Sequence, residues 1–209
     1  MKLPDGIKCV IRASDVSSFL FCEHQLGKER IRTAEMSKGS ELHQEYEEES
    51  DSMAGEAISP EEAKDLKKNI MIAEELVTSI YGDILLIGKP DRAVRENGVW
   101  IVEDKKSTNS RKEKVFENQK MQTYFYCELI RRWLNDRAKY NWKVHLQDQK
   151  TKEVYHSEGG EYGENERQRL LWLLERMRNV MLGEDRALHH GNPKKCEFCS
   201  VKDCGQKLM

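Results

Sequence analysis

The sequence predicts an α/β fold, in which a central mixed β-sheet is flanked by helices. Three observations carry that expectation. Val99, Trp100, Ile101 and Val102 form an apolar run of strand length directly after Asn97-Gly98, a strong signal for a hairpin turn. Residues 140–156 read as two more strands joined by a polar turn around Asp148 to Thr151. Residues 112–139 and 164–182 carry apolar side chains at helical spacing, through Val115, Met121, Phe125, Leu129 and Leu134 in the first and Leu170, Leu174, Met177 and Met181 in the second.

The remaining elements fall around these. Residues 7–12 form a short strand, and Ser14 caps a helix carrying Val16, Phe19, Leu20 and Leu26, with Cys22 in its middle. Residues 38–50 read as a helix in which Gly39 lies one turn below His43. Ser59 followed by Pro60-Glu61-Glu62 starts another, and the pattern becomes β-rich over 77–81 and 84–87. Gly159-Gly160 reads as a break. The whole, 1–209, is expected to be one domain with a core over about 60–160 and with residues 14–50 and 161–209 joined by cysteines.

With 38% hydrophobic and 34% charged residues, the chain is polar but able to build an ordinary core. A net charge of −2 excludes a globally basic nucleic-acid binder and leaves room for a local basic channel. No apolar run of membrane length occurs, and Met1-Lys2-Leu3-Pro4 leads straight into polar sequence. A soluble, cytoplasmic protein without membrane contact is expected, its oligomeric state left open. Six cysteines in such a chain point to metal rather than disulfides.

The chemistry concentrates in residues 88–107. Pro90-Asp91 precedes Glu103-Asp104-Lys105 by about one strand and a turn, and residues i and i+2 of a strand share a face, so Glu103 and Lys105 do. A two-residue Asn97-Gly98 loop would pair Glu96 with Val99 and place Asp91 on the face of Asp104. A three-residue loop with Gly98 in the left-handed region would place Asp91 with Glu103 instead. A metal site built on Glu103 requires the second arrangement, so the odd loop, or a bulge beside Asp91, is expected. Two convergent carboxylates with a lysine suit Mg²⁺ or Mn²⁺, which take oxygen ligands and keep positions for water and phosphate oxygens. The ordinary alternative is a solvated pair at a strand edge.

The tail is a separate feature. Cys196-Glu197-Phe198-Cys199 is a C-x2-C followed by Cys204, beside Lys194, Lys195 and Lys202, which favour thiolates. Of Cys9, Cys22 and Cys127, Cys22 is the best fourth ligand. A set of four thiolates suits either Zn²⁺ or an iron–sulfur cluster.

Taken in order, Cys22, Gly39…His43, Pro90-Asp91, Glu103-Asp104-Lys105, Gln122…Tyr126 and Cys196, Cys199, Cys204 resemble the RecB-like branch of the PD-(D/E)xK nucleases that carry an iron–sulfur staple. At this length the chain looks most like the CRISPR-associated exonuclease family called Cas four. The resemblance implies a restriction-endonuclease-like core with a stapled helical subregion. It implies His43, Asp91, Glu103 and the Asp104 carbonyl as metal ligands, Lys105 as the catalytic lysine, and Gln122 and Tyr126 facing bound DNA. Gln119 could share that last role, and Lys106 is the neighbouring alternative to Lys105, although strand parity aims it away from Glu103. Cys22, Cys196, Cys199 and Cys204 would hold a [4Fe–4S] cluster. The implied activity is a 5′→3′ exonuclease on single-stranded DNA or DNA ends, trimming fragments for capture as CRISPR spacers with an integrase complex as partner. The competing readings are a DNA-end-binding subunit and a stand-alone nuclease of a virus or mobile element.

Overall fold

The computed structural model describes residues 3–26, 70–73, 76–108, 113–197, 199, 201 and 204. The helices expected over 38–50 and from Ser59, and His43 with them, lie outside the described residues.

Strand β1 (Cys9–Arg12) leads directly into α1 (Ala13–Phe21), and a single 3₁₀ turn (Glu23–Gln25) follows. Arg12 rather than Ser14 caps α1, its backbone N–H donating to Asp15 Oδ2 at 2.9 Å. Strands β2 (Ile70–Ile72), β3 (Val77–Tyr81), β4 (Ile84–Gly88), β5 (Arg92–Glu96) and β6 (Val99–Thr108) come next. Helix α2 (Glu117–Leu134), strands β7 (Lys139–Asp148) and β8 (Val154–Glu161), helix α3 (Glu164–Leu182) and the short α4 (Pro193–Glu197) complete the order.

The strands form two sheets. In the smaller, β4 lies between β1, parallel to it, and β3, antiparallel. The larger runs β2-β5-β6-β7-β8, with β6 and β7 parallel and its other pairs antiparallel. Parallel neighbours need a crossover, and α2 supplies it between β6 and β7. Its apolar stripe is the one expected: Val115, Met121, Phe125, Leu129 and Leu134 are all buried. The helix is shorter than residues 112–139 because its ends are capped. The Gln119 side chain accepts the Phe116 N–H at 2.8 Å, and Asn135 turns into the left-handed region at φ 48°.

Helix α2 is the centre of the molecule, packing on α1, α3, β3, β4, β6 and β7. Gly88 lets it come close. A Cβ there would stand 2.9 Å from Leu129 Cδ2 and 3.0 Å from Tyr126 Cε1. Helix α3 ends at Gly183 (φ 73°) and buries Leu170, Leu173, Leu174 and Met177. Met181 stays outside, because at that turn Val180 and Leu182 pack against the core instead.

Two expectations fail here. Gly159-Gly160 does not break the chain but sits inside β8, opposite Lys143 and Trp142. A Cβ at Gly159 would come within 2.7 Å of the Trp142 carbonyl, and one at Gly160 within 3.3 Å of the Trp142 ring nitrogen, so the glycines allow a close strand approach. The loop between β5 and β6 is two residues, not three. Glu96 pairs with Val99 and Arg92 with Glu103, with Asn97 at φ 51° and Gly98 at φ 81°. Two consecutive positive φ values match the turn whose twist suits a hairpin, and the local preference of Asn-Gly decided the register. Among the described residues no helix is long and apolar enough to cross a membrane.

Within the core, Glu128 has a fully buried side chain and gathers three guanidinium groups. Arg132 Nε is 2.6 Å away, Arg167 Nε 3.2 Å and Arg131 Nη1 3.7 Å, and the Tyr162 hydroxyl donates at 3.3 Å. This knot ties α2 to α3. Glu128→Ala removes the one buried acid that these partly exposed arginines and Tyr162 share, and is expected to cost about 1.5–3 kcal/mol in denaturant unfolding. A loss under about 1 kcal/mol would mean that the knot contributes little.

Candidate active site and thiol cluster

The two-residue turn determines which side chains meet. Along β6, Trp100, Val102 and Asp104 are buried, whereas Val99, Ile101 and Glu103 are only partly covered. The first set faces α2. Asp104 is 2% exposed, and Lys106 Nζ lies 2.9 Å from its Oδ2. The same ammonium donates to Gln122 Oε1 at 3.1 Å, and Gln122 Nε2 donates to the Tyr126 hydroxyl at 3.2 Å. Thr123, one residue along α2, points its hydroxyl at Asp104 Oδ2 at 3.4 Å and at the Gln119 carbonyl at 3.0 Å. An acid, a lysine, an amide and a phenol therefore form one continuous polar line where β6 crosses α2.

Asp91 joins this group. It sits one step beyond the last β5–β6 ladder pair, at the level of Asp104, and its Oδ2 accepts the Lys105 backbone N–H at 2.6 Å. The bond pins the Asp91 carboxylate to the peptide that follows Asp104. Upstream, Gly88 is held tight against Tyr126, so the Gly88-Lys89-Pro90-Asp91 segment enters the site along the same helix.

Glu103 and Lys105 belong to the opposite face. Glu103 pairs with the Arg92 guanidinium, with His145 Nε2 at 3.4 Å and with Lys143 Nζ at 3.9 Å. His145 Nδ1 in turn contacts the Ser157 hydroxyl at 2.8 Å. Lys105 is exposed. The sheet thus separates Glu103 and Lys105 from Asp104 and Lys106, and Asp91 is tied to the strand between them through the Lys105 N–H. Gln122 and Tyr126, expected to face bound DNA, are hydrogen-bonded to each other and, through Gln122, to Lys106. Gln119 caps α2 instead of joining the line.

Hydrogen bonding from His145, followed by the Arg92 contact, holds the Glu103 carboxyl at about 2. A carboxylate with a depressed native pKa adds stability above its unfolded value, and that stability is lost as pH falls through the native one. Glu103→Gln is therefore expected to cost about 1–3 kcal/mol at pH 7, after allowing for solvent screening at the partly exposed Arg92. The penalty should shrink as pH drops below about 4.5 and should be nearly gone near pH 2. Denaturant titrations of both proteins across that range check it, and a pH-independent difference would contradict it.

At the other end of the fold, thiols from both chain termini come together. Burial raises the Cys22 thiol pKa, and Cys204 and Cys199 stand near enough to raise it further, while backbone N–H groups of His24 and His190 bond to its sulfur. The Gln25 amide donates to Cys199 Sγ at 3.4 Å. Cys196 Sγ contacts His189 Nε2 at 3.5 Å and His190 Nε2 at 3.9 Å. One ligand atom each of Cys22, His189 and His190 lie within 4.8 Å of one another. The histidines had gone unremarked in the sequence, although they stand as an adjacent pair just before the C-x2-C. Cys9 and Cys127 are core residues, as their strand and helix positions imply.

Two solved structures are similar to this chain, and the first shares its fold. The protein SSO0001 has a similar crystal structure at a TM-score of 0.51 and 15% identity, covering 100% of this chain and 90% of that one. A Eubacterium rectale protein described as a candidate exonuclease matches at a TM-score of 0.40 and 13% identity, covering 100% of this chain and 79% of the other. No curated protein matches by sequence. The mixed sheet with its flanking helices is the restriction-endonuclease-like core, and the profile of the PD-(D/E)XK nuclease superfamily matches residues 13–204. Nearly the whole chain is spanned by that match, and the protein belongs to the PD-(D/E)XK nuclease superfamily.

Proposed function

We propose that the chain is a divalent-metal-dependent deoxyribonuclease whose working residues are Asp91, Asp104 and Lys106. The observation that carries this reading is the Asp104–Lys106–Gln122–Tyr126 line, with Asp91 fastened to the same strand by the Lys105 N–H. Two carboxylates and the intervening backbone form a hard oxygen donor set that fits Mg²⁺ or Mn²⁺. When bound, such an ion lowers the pKa of a water and offsets charge on the phosphoryl oxygens.

The residues themselves perform the rest. Gln122 holds the Lys106 ammonium in place, and Tyr126 holds Gln122. Lys106, thus fixed, orients the attacking water and balances the charge that develops at phosphorus. A new P–O bond forms to the water oxygen as the water gives up a proton to solvent, the P–O bond to the leaving nucleoside breaks, and the leaving oxygen takes up a proton from solvent. Thr123 steadies Asp104 from the helix side. His43, the further ligand that the resemblance supplies, lies outside the described residues.

The resemblance extends the reading to an exonuclease on single strands or DNA ends, 5′→3′ in direction. On this reading the protein works in the cytoplasm, trimming fragments for spacer capture beside a CRISPR integrase. The same reading assigns Cys22, Cys196, Cys199 and Cys204 to a [4Fe–4S] cluster of structural role that ties the chain ends into one unit. N–H groups aimed at the sulfurs fit thiolate ligands.

Asp104→Asn and Lys106→Met are each expected to lower Mn²⁺-dependent digestion of end-labelled single-stranded DNA by about 10²–10⁴-fold. Glu103→Gln and Lys105→Met should stay within about threefold of the parent when assayed at neutral pH below their unfolding transitions. Full activity in both members of the first pair would refute the assignment. Equal losses in both pairs would show that the sheet face does not decide the chemistry.

A further inference from the structure

We propose that His189, His190 and Gln25 are positioning residues for the thiolate cluster, acting as N–H donors to its sulfurs rather than as metal ligands. This rests on the assignment of the four cysteines to a metal cluster. The two histidines follow α3 in the stretch leading to α4, and their ring centroids are 4.3 Å apart. Both present Nε2 to Cys196 Sγ, at 3.5 and 3.9 Å. A pair of imidazoles so close to Cys22 and Cys196 resembles a mixed cysteine–histidine ligand set.

The backbone decides between ligand and donor. The Gly191 N–H donates to His189 Nδ1 at 3.1 Å, and the Asn192 N–H donates to His190 Nδ1 at 2.9 Å. A neutral imidazole carries one proton, so a nitrogen that accepts a hydrogen bond leaves the proton on the other. Nδ1 accepts in both rings, and Nε2–H therefore points at sulfur. A histidine that binds metal through Nε2 shows the reverse pattern, with Nδ1–H donating to a carboxylate, a carbonyl or water. The short turn at Gly191, with φ 66°, aims both backbone N–H groups back at the rings and so fixes the tautomer.

Around the cluster the donors are distributed one sulfur at a time. Cys196 takes the two rings, Cys199 takes the Gln25 amide, and Cys22 takes backbone N–H groups of His24 and His190. Hydrogen bonds to cluster sulfurs stabilise the more reduced, more negatively charged state and raise the reduction potential. Side chains that merely filled space would not do so.

The test uses the full chain, purified without oxygen and reconstituted with iron and sulfide, and compares the parent with H189L/H190L, H189Q/H190Q and Q25L. Iron and sulfide content, the visible spectrum, the reduction potential and bleaching in air are measured. Leucine variants that keep iron but show a lower potential and at least about threefold faster bleaching, both restored towards the parent by H189Q/H190Q, support the proposal. Glutamine retains an N–H donor. Loss of metal from the glutamine variant as well as from the leucine variant would make the imidazoles ligands and overturn it. Unchanged potential and bleaching in H189L/H190L and Q25L would overturn the proposal alone, leaving the cluster assignment intact. A parent protein that takes up no iron would overturn both.

Discussion

Everything at the nuclease site depends on the two-residue turn at Asn97-Gly98. Side chains alternate along a strand, so the parity of that turn selects which acids share a face. With Glu96 opposite Val99, Asp91 arrives at the level of Asp104, and Lys106 follows two residues later on the same side. One more loop residue would have exchanged this set for Glu103 and Lys105. The turn is specified locally, by two residues that tolerate positive φ, and the chemistry inherits its register from them.

Helix α2 turns that register into a site. Its successive residues have separate tasks: Gln119 caps the helix, Gln122 meets Lys106, Thr123 meets Asp104, Tyr126 supports Gln122, and Glu128 binds the arginines of α2 and α3. The helix can serve both strands of the motif only because Gly88 allows close approach. A buried acid such as Asp104 is costly without a partner, and the nearby Lys106 ammonium offsets that cost.

Much of the fold was legible in the sequence because its signals are local. The α2 stripe, the turn between β7 and β8, and the α3 stripe through Leu170, Leu174 and Met177 appear as read, with Met181 left outside. What failed depends on distant partners. The glycines of β8 looked like a break because their reason for being there, the backbone and ring of Trp142, lies on another strand. At the site, the hairpin was visible from Asn97-Gly98, but a three-residue loop was expected where two residues suffice, and that parity sets Glu103 and Asp104 on opposite faces. His189 and His190 escaped notice because only the folded chain brings them to Cys196.

The thiol cluster and the nuclease site are separate constructions, one joining the chain ends and the other built on a hairpin and a helix. The most direct measurement of the central claim is the position of Mn²⁺ in crystals soaked with that ion, located by its anomalous scattering. The account predicts a peak between the carboxylates of Asp91 and Asp104, within reach of the Lys105 carbonyl. A peak beside Glu103, on the opposite face of the sheet, would contradict it.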